Sequence, residues 1–167
     1  MWNSIGTNKI HATAIIGENV ELGENNIIYP YSVIGELGFI RDYESQNGKI
    51  IIGDNNWIGC HTAIMAGEKG ETIIGNKNLI MNYVNVGHNV EIGSYNEIGA
   101  KSLLAGWSVV GDQNKIKLNC TLRNRKIIGS YNIIGMGSNI VKDLGSHGLY
   151  HGNPCTKIKD LLKYDNF

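Results

Sequence analysis

The chain has 167 residues, and its 15 lysines and arginines balance its 15 aspartates and glutamates, which argues against a nucleic-acid-binding surface. Twenty-two glycines, only two prolines and 42% hydrophobic residues favour a turn-rich β protein and exclude an intrinsically disordered chain. The N-terminus shows no signal peptide, and no apolar run approaches the roughly 20 residues of a membrane span, so we expect a soluble protein.

Short strands are predicted wherever an aliphatic residue returns at every sixth position. This spacing runs from Ile10 to Ile34, from Ile52 to Ile64 and, without a break, from Ile74 to Ile140. Glycine often follows the aliphatic residue, which suits a sharp corner after each strand. An amphipathic helix would repeat its apolar positions every three to four residues, so a helical interpretation fails. The period predicts stacked coils, because a six-residue unit cannot bury its apolar face alone.

A column of asparagines indicates how many repeats make one coil. Asparagine recurs at positions 78, 96, 114 and 132, so that each lies three repeats after the one before. That interval predicts three repeats per coil, with the amides stacked on one corner and hydrogen-bonded from coil to coil. Insertions at about 38–49 and 67–70 bring Asn26 and Asn56 onto the same corner. We predict an all-β parallel β-helix over residues 1–155, followed by a short C-terminal helix or tail over 156–167.

One side of the predicted prism collects the unusual side chains. Both insertions leave from this side, and His88, Gly106 and Asn124 follow its strands at the same interval of three repeats. These three residues should therefore stack near one corner, about 5 Å apart. Neighbouring positions carry three larger side chains, Trp107, Arg123 and Arg125. Binding residues tend to lie on loops held by a rigid scaffold, so this edge is the predicted site.

Each of these side chains has a functional interpretation and a simpler one. His88 is the candidate general base for acyl transfer, because imidazole titrates near neutral pH; the alternative is a surface histidine. Arg123 and Arg125 suit the phosphates of a nucleotide, or are solvated corner charges. Trp107 stacks on a base or sugar ring, or fills a gap between subunits. Three cysteines without metal-type spacing favour a reduced, cytoplasmic setting.

Four stretches resemble one family of enzymes: IIYPYSVIGE (27–36), KIIIGDNNWI (49–58), NLIMNYVNVGHNVEIG (78–93) and LLAGWSVVG (103–111). They resemble the UDP-N-acetylglucosamine O-acyltransferases of lipid A synthesis, within the hexapeptide-repeat acyltransferases. The resemblance implies a left-handed coil, a homotrimer with sites between subunits, and a role in cell-envelope polysaccharide or lipid A biosynthesis. It also implies that His88 is the general base and that the Gly106 N–H is the oxyanion donor.

The chain departs from the pattern of that family at several positions. Asn89 stands where the family has an acidic residue after the base, and an amide can orient an imidazole but cannot stabilise imidazolium by charge. Trp107 and Arg123 replace histidines, and Asn124 replaces a glutamine. The family's helical C-terminal domain is not found within these residues, which favours a small donor, most simply acetyl-CoA as co-substrate. Transfer to an amine then stays open beside transfer to a hydroxyl.

Three functions stay open at this stage. The predicted one is acyl transfer to a nucleotide-linked sugar, with no bound metal and with Asn85, Asp42 and Tyr43 as further substrate-binding candidates. The second is a metalloprotein like the γ-class carbonic anhydrases, which requires three convergent histidines. The third is a trimeric binding module without catalytic activity, since a fold does not dictate activity.

Overall fold

The computed structural model describes residues 1–37 and 47–162. These two ranges contain strands and turns, and none of their residues forms a helix that could cross a membrane. Most of the predicted insertion at 38–49 lies outside them, as do the substrate-binding candidates Asp42 and Tyr43.

Short strands follow one another along the described residues. In chain order they are β1 (Trp2–Ile5), β2 (Asn8–His11), β3 (Ile15–Ile16), β4 (Val20–Leu22), β5 (Ile27–Ile28), β6 (Val33–Leu37), β7 (Lys49–Ile52) and β8 (Trp57–Ile58). There follow β9 (Ala63–Ala66), β10 (Glu71–Ile74), β11 (Leu79–Ile80), β12 (Asn85–Val86), β13 (Glu91–Ile92), β14 (Glu97–Ile98), β15 (Leu103–Leu104) and β16 (Val109–Val110). The last are β17 (Lys115–Ile116), β18 (Thr121–Leu122), β19 (Ile127–Ile128), β20 (Ile133–Ile134), β21 (Asn139–Ile140), β22 (Gly148–His151) and β23 (Thr156–Asp160).

Three sheets form because each strand of the coils pairs in parallel with a strand of the next coil. Sheet A has the order β1-β2-β5-β8-β11-β14-β17-β20-β22-β23. Sheet B has the order β3-β6-β9-β12-β15-β18-β21, and sheet C has the order β4-β7-β10-β13-β16-β19. In the regular part the paired residues are three repeats apart, as in the pairing of Val86 with Leu104. The predicted all-β coil of three repeats is confirmed.

The aliphatic residues of the six-residue period form the core. From Ile74 to Ile140 every one of them is at most 2% exposed. Equivalent residues stack above one another through the parallel pairing, so each coil covers the apolar surface of its neighbours. This burial confirms the core that the period predicts.

The glycines that follow the core residues serve close approach between coils rather than the bend itself. At most corners the left-handed backbone lies two residues later and is borne by other residue types, such as Lys77 (φ 56°) and Tyr95 (φ 61°), whereas Gly137 (φ 70°) takes that position at one corner. A Cβ on Gly75 would lie only 2.6 Å from the carbonyl oxygen of Gly93 in the next coil. Glycine is therefore required because a side chain would separate the stacked backbones.

Sheet C passes into sheet A at a corner that we call the asparagine corner (residues 24–26, 54–56, 76–78, 94–96, 112–114 and 130–132). Buried asparagines stack there, and the Oδ1 of each accepts the backbone N–H of the next, over 2.7–3.0 Å. The column consists of Asn8, Asn26, Asn56, Asn78, Asn96, Asn114 and Asn132. The predicted ladder of six is confirmed, and Asn8 extends it to seven.

A second ladder runs along the same corner, two residues after each core aliphatic. The backbone N–H at this position donates to a side chain of the following coil, as Ser94 donates to Asp112 Oδ1 over 2.7 Å. The accepting residues are Asp54, Asn76, Ser94, Asp112, Ser130 and Ser146. At the asparagine corner, side chains thus accept the backbone N–H groups of two positions in the repeat.

Antiparallel strands cover both edges of sheet A. At one end β1 pairs with β2, and at the other β23 turns back onto β22. The predicted helix over 156–167 is therefore wrong for residues 156–162, while 163–167 lie outside the described residues. A strand forms because the edge of β22 offers unpaired backbone groups. A helix of about a dozen residues with little surface to pack against would be only marginally stable.

Candidate active site

Sheet B passes into sheet C at what we call the histidine corner (residues 88–90, 106–108 and 124–126). Backbone hydrogen bonds join its levels, since Trp107 N–H donates to His88 O over 3.0 Å and Arg125 N–H donates to Gly106 O over 3.1 Å. His88, Gly106 and Asn124 therefore stack in successive coils, as the interval of three repeats predicts. Residues 67–70 follow the end of β9, which belongs to sheet B.

The imidazole of His88 lies against the backbone of Gly106. A Cβ on Gly106 would come within 2.7 Å of His88 Nε2 and 2.8 Å of Cε1, so only glycine leaves room for the ring. The Trp107 ring meets the imidazole at 86°, with the ring centroids 4.3 Å apart. The imidazole thus lies between the backbone of Gly106 and the indole of Trp107, with about a fifth of the His88 side chain exposed.

Residues 67–70 contribute a carboxylate, that of Glu68, which the repeat pattern did not predict. Glu68 Oε1 lies 3.9 Å from His88 Nδ1, and its side chain is about as buried as that of His88. The Glu68 N–H donates to Asn89 Oδ1 over 2.9 Å, and Asn89 Nδ2 donates to Lys69 O over 3.2 Å. One amide therefore holds the insertion at two points. The only signal in the sequence was that the insertion leaves from the same side as His88.

Asn89 also fixes which nitrogen of His88 carries a proton. Its Oδ1 lies 3.2 Å from His88 Nδ1, and the bonds to Glu68 N–H and Lys69 O identify that atom as the oxygen. A carbonyl oxygen can only accept, so the Nδ1 of His88 must donate. In the neutral ring Nε2 is then the proton acceptor, on the side that faces Gly106. The sequence predicts that Asn89 orients the imidazole, and a hydrogen bond to Nδ1 is what that role requires.

Backbone donors at the histidine corner are not capped as they are at the asparagine corner. Asn124 is stacked over Gly106, yet no described side chain or carbonyl accepts the Gly106 N–H. At the asparagine corner the matching N–H groups donate to side chains of the next coil, as Asp112 N–H donates to Ser130 Oγ. A backbone donor beside the acceptor nitrogen of an imidazole is available to a ligand.

The other predicted site residues differ in how far they are exposed to solvent. The Arg125 guanidinium carbon lies 4.7 Å from the centroid of the Trp107 ring, so a cation covers part of the indole that would stack on a ligand. Trp107 is 37% exposed, and Arg123 and Asn124 are exposed as well. Asn85 is half-buried on β12 of sheet B.

Two other features lie away from this corner. An apolar groove of about 230 Å³ on sheet A is lined by Tyr29, Trp57, Leu79 and Met81, and it contains no imidazole or carboxylate. The cysteines are free thiols, and burial raises the pKa of Cys120 and of Cys155 above the usual range, which suits a structural role. Among residues 1–37 and 47–162, no three His, Cys, Asp or Glu side chains are grouped so that they could hold a metal ion.

The chain is similar in sequence to known acyltransferases. Residues 71–106 match the bacterial transferase hexapeptide family (six repeats). The acyl-[acyl-carrier-protein]–UDP-N-acetylglucosamine O-acyltransferase of Saccharophagus degradans is 38% identical over 104 residues, which cover 56% of this chain and 40% of that enzyme. The enzyme of the same name from Stutzerimonas stutzeri is 31% identical over 137 residues, which cover 80% and 53%. This chain thus spans about half the length of these relatives.

A solved structure shows the same architecture. The crystal structure of a UDP-N-acetylglucosamine acyltransferase from Bacteroides fragilis superimposes with a TM-score of 0.89 at 31% identity, covering 92% of this chain and 61% of that protein. The similarity therefore extends over nearly all of the described β-helix.

Proposed function

The chain is a hexapeptide-repeat β-helix related to the UDP-N-acetylglucosamine O-acyltransferases, and from that premise we propose that it transfers an acyl group to a nucleotide-linked sugar. One observation carries the proposal: the proton-accepting Nε2 of His88 faces Gly106, whose N–H no described residue accepts. A base and an oxyanion donor side by side are the two groups that acyl transfer requires.

The proposed reaction uses these two groups in sequence. Nε2 of His88 takes the proton of the acceptor hydroxyl or amine while its oxygen or nitrogen attacks the carbonyl carbon of a thioester. The Gly106 N–H donates to the oxyanion that forms. The carbon–sulfur bond then breaks, and the leaving thiolate receives the proton from the imidazolium. Asn89 keeps the ring in the tautomer that this sequence needs.

The basic residues of the corner are placed to bind the acceptor. Arg123 and Arg125 would bind the phosphates of the nucleotide, and Trp107 holds the Arg125 guanidinium in place. Asn85 and Asn124 are the amides available to the sugar hydroxyls. We retain both hydroxyl and amine acceptors, because either can lose a proton to the same imidazole.

The donor and the assembly belong to the same proposal. We propose an acyl-CoA, most simply acetyl-CoA, as co-substrate, whereas the names of the sequence relatives give an acyl carrier protein as donor. We also propose a left-handed homotrimer in the cytoplasm, with this edge at a seam between subunits. The exposed Trp107, Arg123 and Arg125 support a seam, because a facing subunit would exclude water from the reacting thioester.

The test is a panel of thioesters against nucleotide sugars, with release of free thiol as the readout. Acetyl-CoA, longer acyl-CoAs and an acyl-carrier-protein thioester are each combined with UDP-, dTDP- and GDP-sugars that bear either a hydroxyl or an amino group. We expect turnover with at least one pair, and we expect His88→Asn to lower kcat about 100- to 10,000-fold, the usual contribution of a general base.

A second histidine supplies the matched control. His61 lies at the corner between sheets A and B, stacked between Tyr31 and Tyr83 with ring centroids 4.9–5.0 Å apart. His61→Asn should leave turnover unchanged, since asparagine tolerates the left-handed backbone at that position. Equal turnover in the two variants would refute the role of His88, and no turnover with any pair would leave a binding module as the better description.

A further inference from the structure

We propose that the carboxylate of Glu68 stabilises the charged form of His88, and that Asn89 positions Glu68 through its hydrogen bonds to the insertion. This proposal rests on His88 being the general base of the proposed reaction. It assigns to the insertion at 67–70 the negative charge that position 89 lacks. Glu68 does not touch the substrate and is therefore a positioning residue.

Hydrogen bonds on both sides hold the insertion in place. Lys49 N–H donates to Gly70 O over 3.0 Å, which joins the insertion to the preceding strand of sheet C. Thr72 Oγ donates to Met65 O over 2.8 Å and accepts the N–H of Asn89 over 2.8 Å. The ends of the insertion and the backbone beside His88 therefore form one hydrogen-bonded unit.

Asn89 couples that unit to the imidazole. Its Oδ1 accepts from Glu68 N–H and lies 3.2 Å from His88 Nδ1, while its Nδ2 donates to Lys69 O. An aspartate at this position would keep the acceptor but lose the donor to Lys69, and so would loosen the insertion. The amide is thus matched to the insertion, and the carboxylate arrives from the insertion instead.

The Glu68 carboxylate acts when the imidazole becomes charged. Its Oε1 lies 3.9 Å from His88 Nδ1, which is too long for a hydrogen bond but within the range of an ion pair. Both side chains are only about a fifth exposed, so water and salt screen the pair incompletely. The carboxylate therefore stabilises the imidazolium that exists between proton uptake and proton release.

The first experiment separates charge from packing. Glu68→Gln keeps the shape and the backbone N–H that bonds to Asn89, and it should lower kcat about 10-fold with KM unchanged, because only the charged intermediate state loses its partner. In the double variant Glu68→Gln with Asn89→Asp the insertion no longer has to supply the charge, so its loosening should matter little. The carboxylate now beside Nδ1 should recover kcat to within about threefold. Glu24→Gln, an exposed glutamate at the asparagine corner, should leave both constants unchanged.

The outcomes distinguish this inference from the proposed function. Full activity in Glu68→Gln, or failure of Asn89→Asp to restore it, would overturn the charge role even when His88→Asn is inactive. Full activity in His88→Asn would instead overturn the proposed base, whatever Glu68→Gln does.

A second experiment needs no turnover. In mildly acidic buffer, where imidazoles carry a proton, Glu68→Gln should lower Tm by about 1–3 °C while His88 is present. The same change should have a clearly smaller effect in the background of His88→Asn. Equal shifts in the two backgrounds would show that Glu68 and His88 are not coupled and would overturn the proposal.

Discussion

The asparagine corner and the histidine corner are built from the same six-residue unit, yet they treat their backbone donors in opposite ways. At the asparagine corner, Ser94 N–H and Asp112 N–H donate to side chains of the next coil. At the histidine corner, Gly106 takes the matching place and its N–H has no acceptor among the described residues. The asparagine corner closes these hydrogen bonds with its own side chains, whereas the Gly106 N–H stays available at the corner where we place the reaction.

The largest expected effect comes from adding one methyl group at each corner. A Cβ on Gly106 would meet the His88 ring, whereas a Cβ on Gly111 would lie 2.9 Å from the backbone of Gly129. Gly106→Ala should therefore lower kcat/KM at least about 100-fold, because the imidazole must rotate away from its place. Its free energy of unfolding should change little, since a side chain yields more easily than a backbone.

Gly111→Ala is the counterpart of that variant. It should lower the free energy of unfolding by about 1–3 kcal/mol through overpacking between coils, and leave the turnover of the folded protein intact. Thiol-release assays and urea denaturation on both variants measure the contrast. The two corners would not differ as described if Gly106→Ala were the less stable variant and Gly111→Ala the less active one.

The next effect is on stability alone. Asn96 is buried, and its Oδ1 accepts from both Asn114 N–H, over 2.9 Å, and Asn114 Nδ2, over 3.1 Å. Asn96→Ala strands both donors and should lower the free energy of unfolding by about 2–4 kcal/mol. Asn124→Ala removes an exposed amide of the histidine corner and should cost less than about 0.5 kcal/mol. Similar losses in urea denaturation would remove the distinction between the corners.

The contrast also shows what the sequence could and could not predict. Each coil contacts mainly its neighbours, so the period of six and the interval of three repeats were enough to predict the sheets, the core and the asparagine ladder. The same interval also predicted that His88 and Gly106 are neighbours in adjacent coils. Two residues after the core aliphatics, the asparagine corner carries Asp, Asn or Ser, whereas the histidine corner carries His88, Gly106 and Asn124. This difference is visible in the sequence itself.

Two features depend on contacts that no period encodes. Glu68 reaches His88 because Asn89 holds the insertion, and Asn89 is 21 residues away in the chain. Strand β23 forms because β22 leaves an open edge, although the local sequence was equally compatible with a helix. Both features lie where the repeat is interrupted or ends, and there tertiary hydrogen bonds decide the backbone.

The smallest expected effect tests the second ladder of the asparagine corner. Asp112 is exposed, and its Oδ1 accepts Ser94 N–H over 2.7 Å. Asp112→Ala should cost about 0.5–1 kcal/mol, because water partly replaces the lost acceptor, and should speed hydrogen exchange at the Ser94 amide. Asp112→Asn keeps an acceptor and should preserve protection, which separates the hydrogen bond from the charge. Neither variant should alter turnover, since this corner lies apart from His88; a loss of activity would mean that the two corners are coupled and that capping at one of them serves the site at the other.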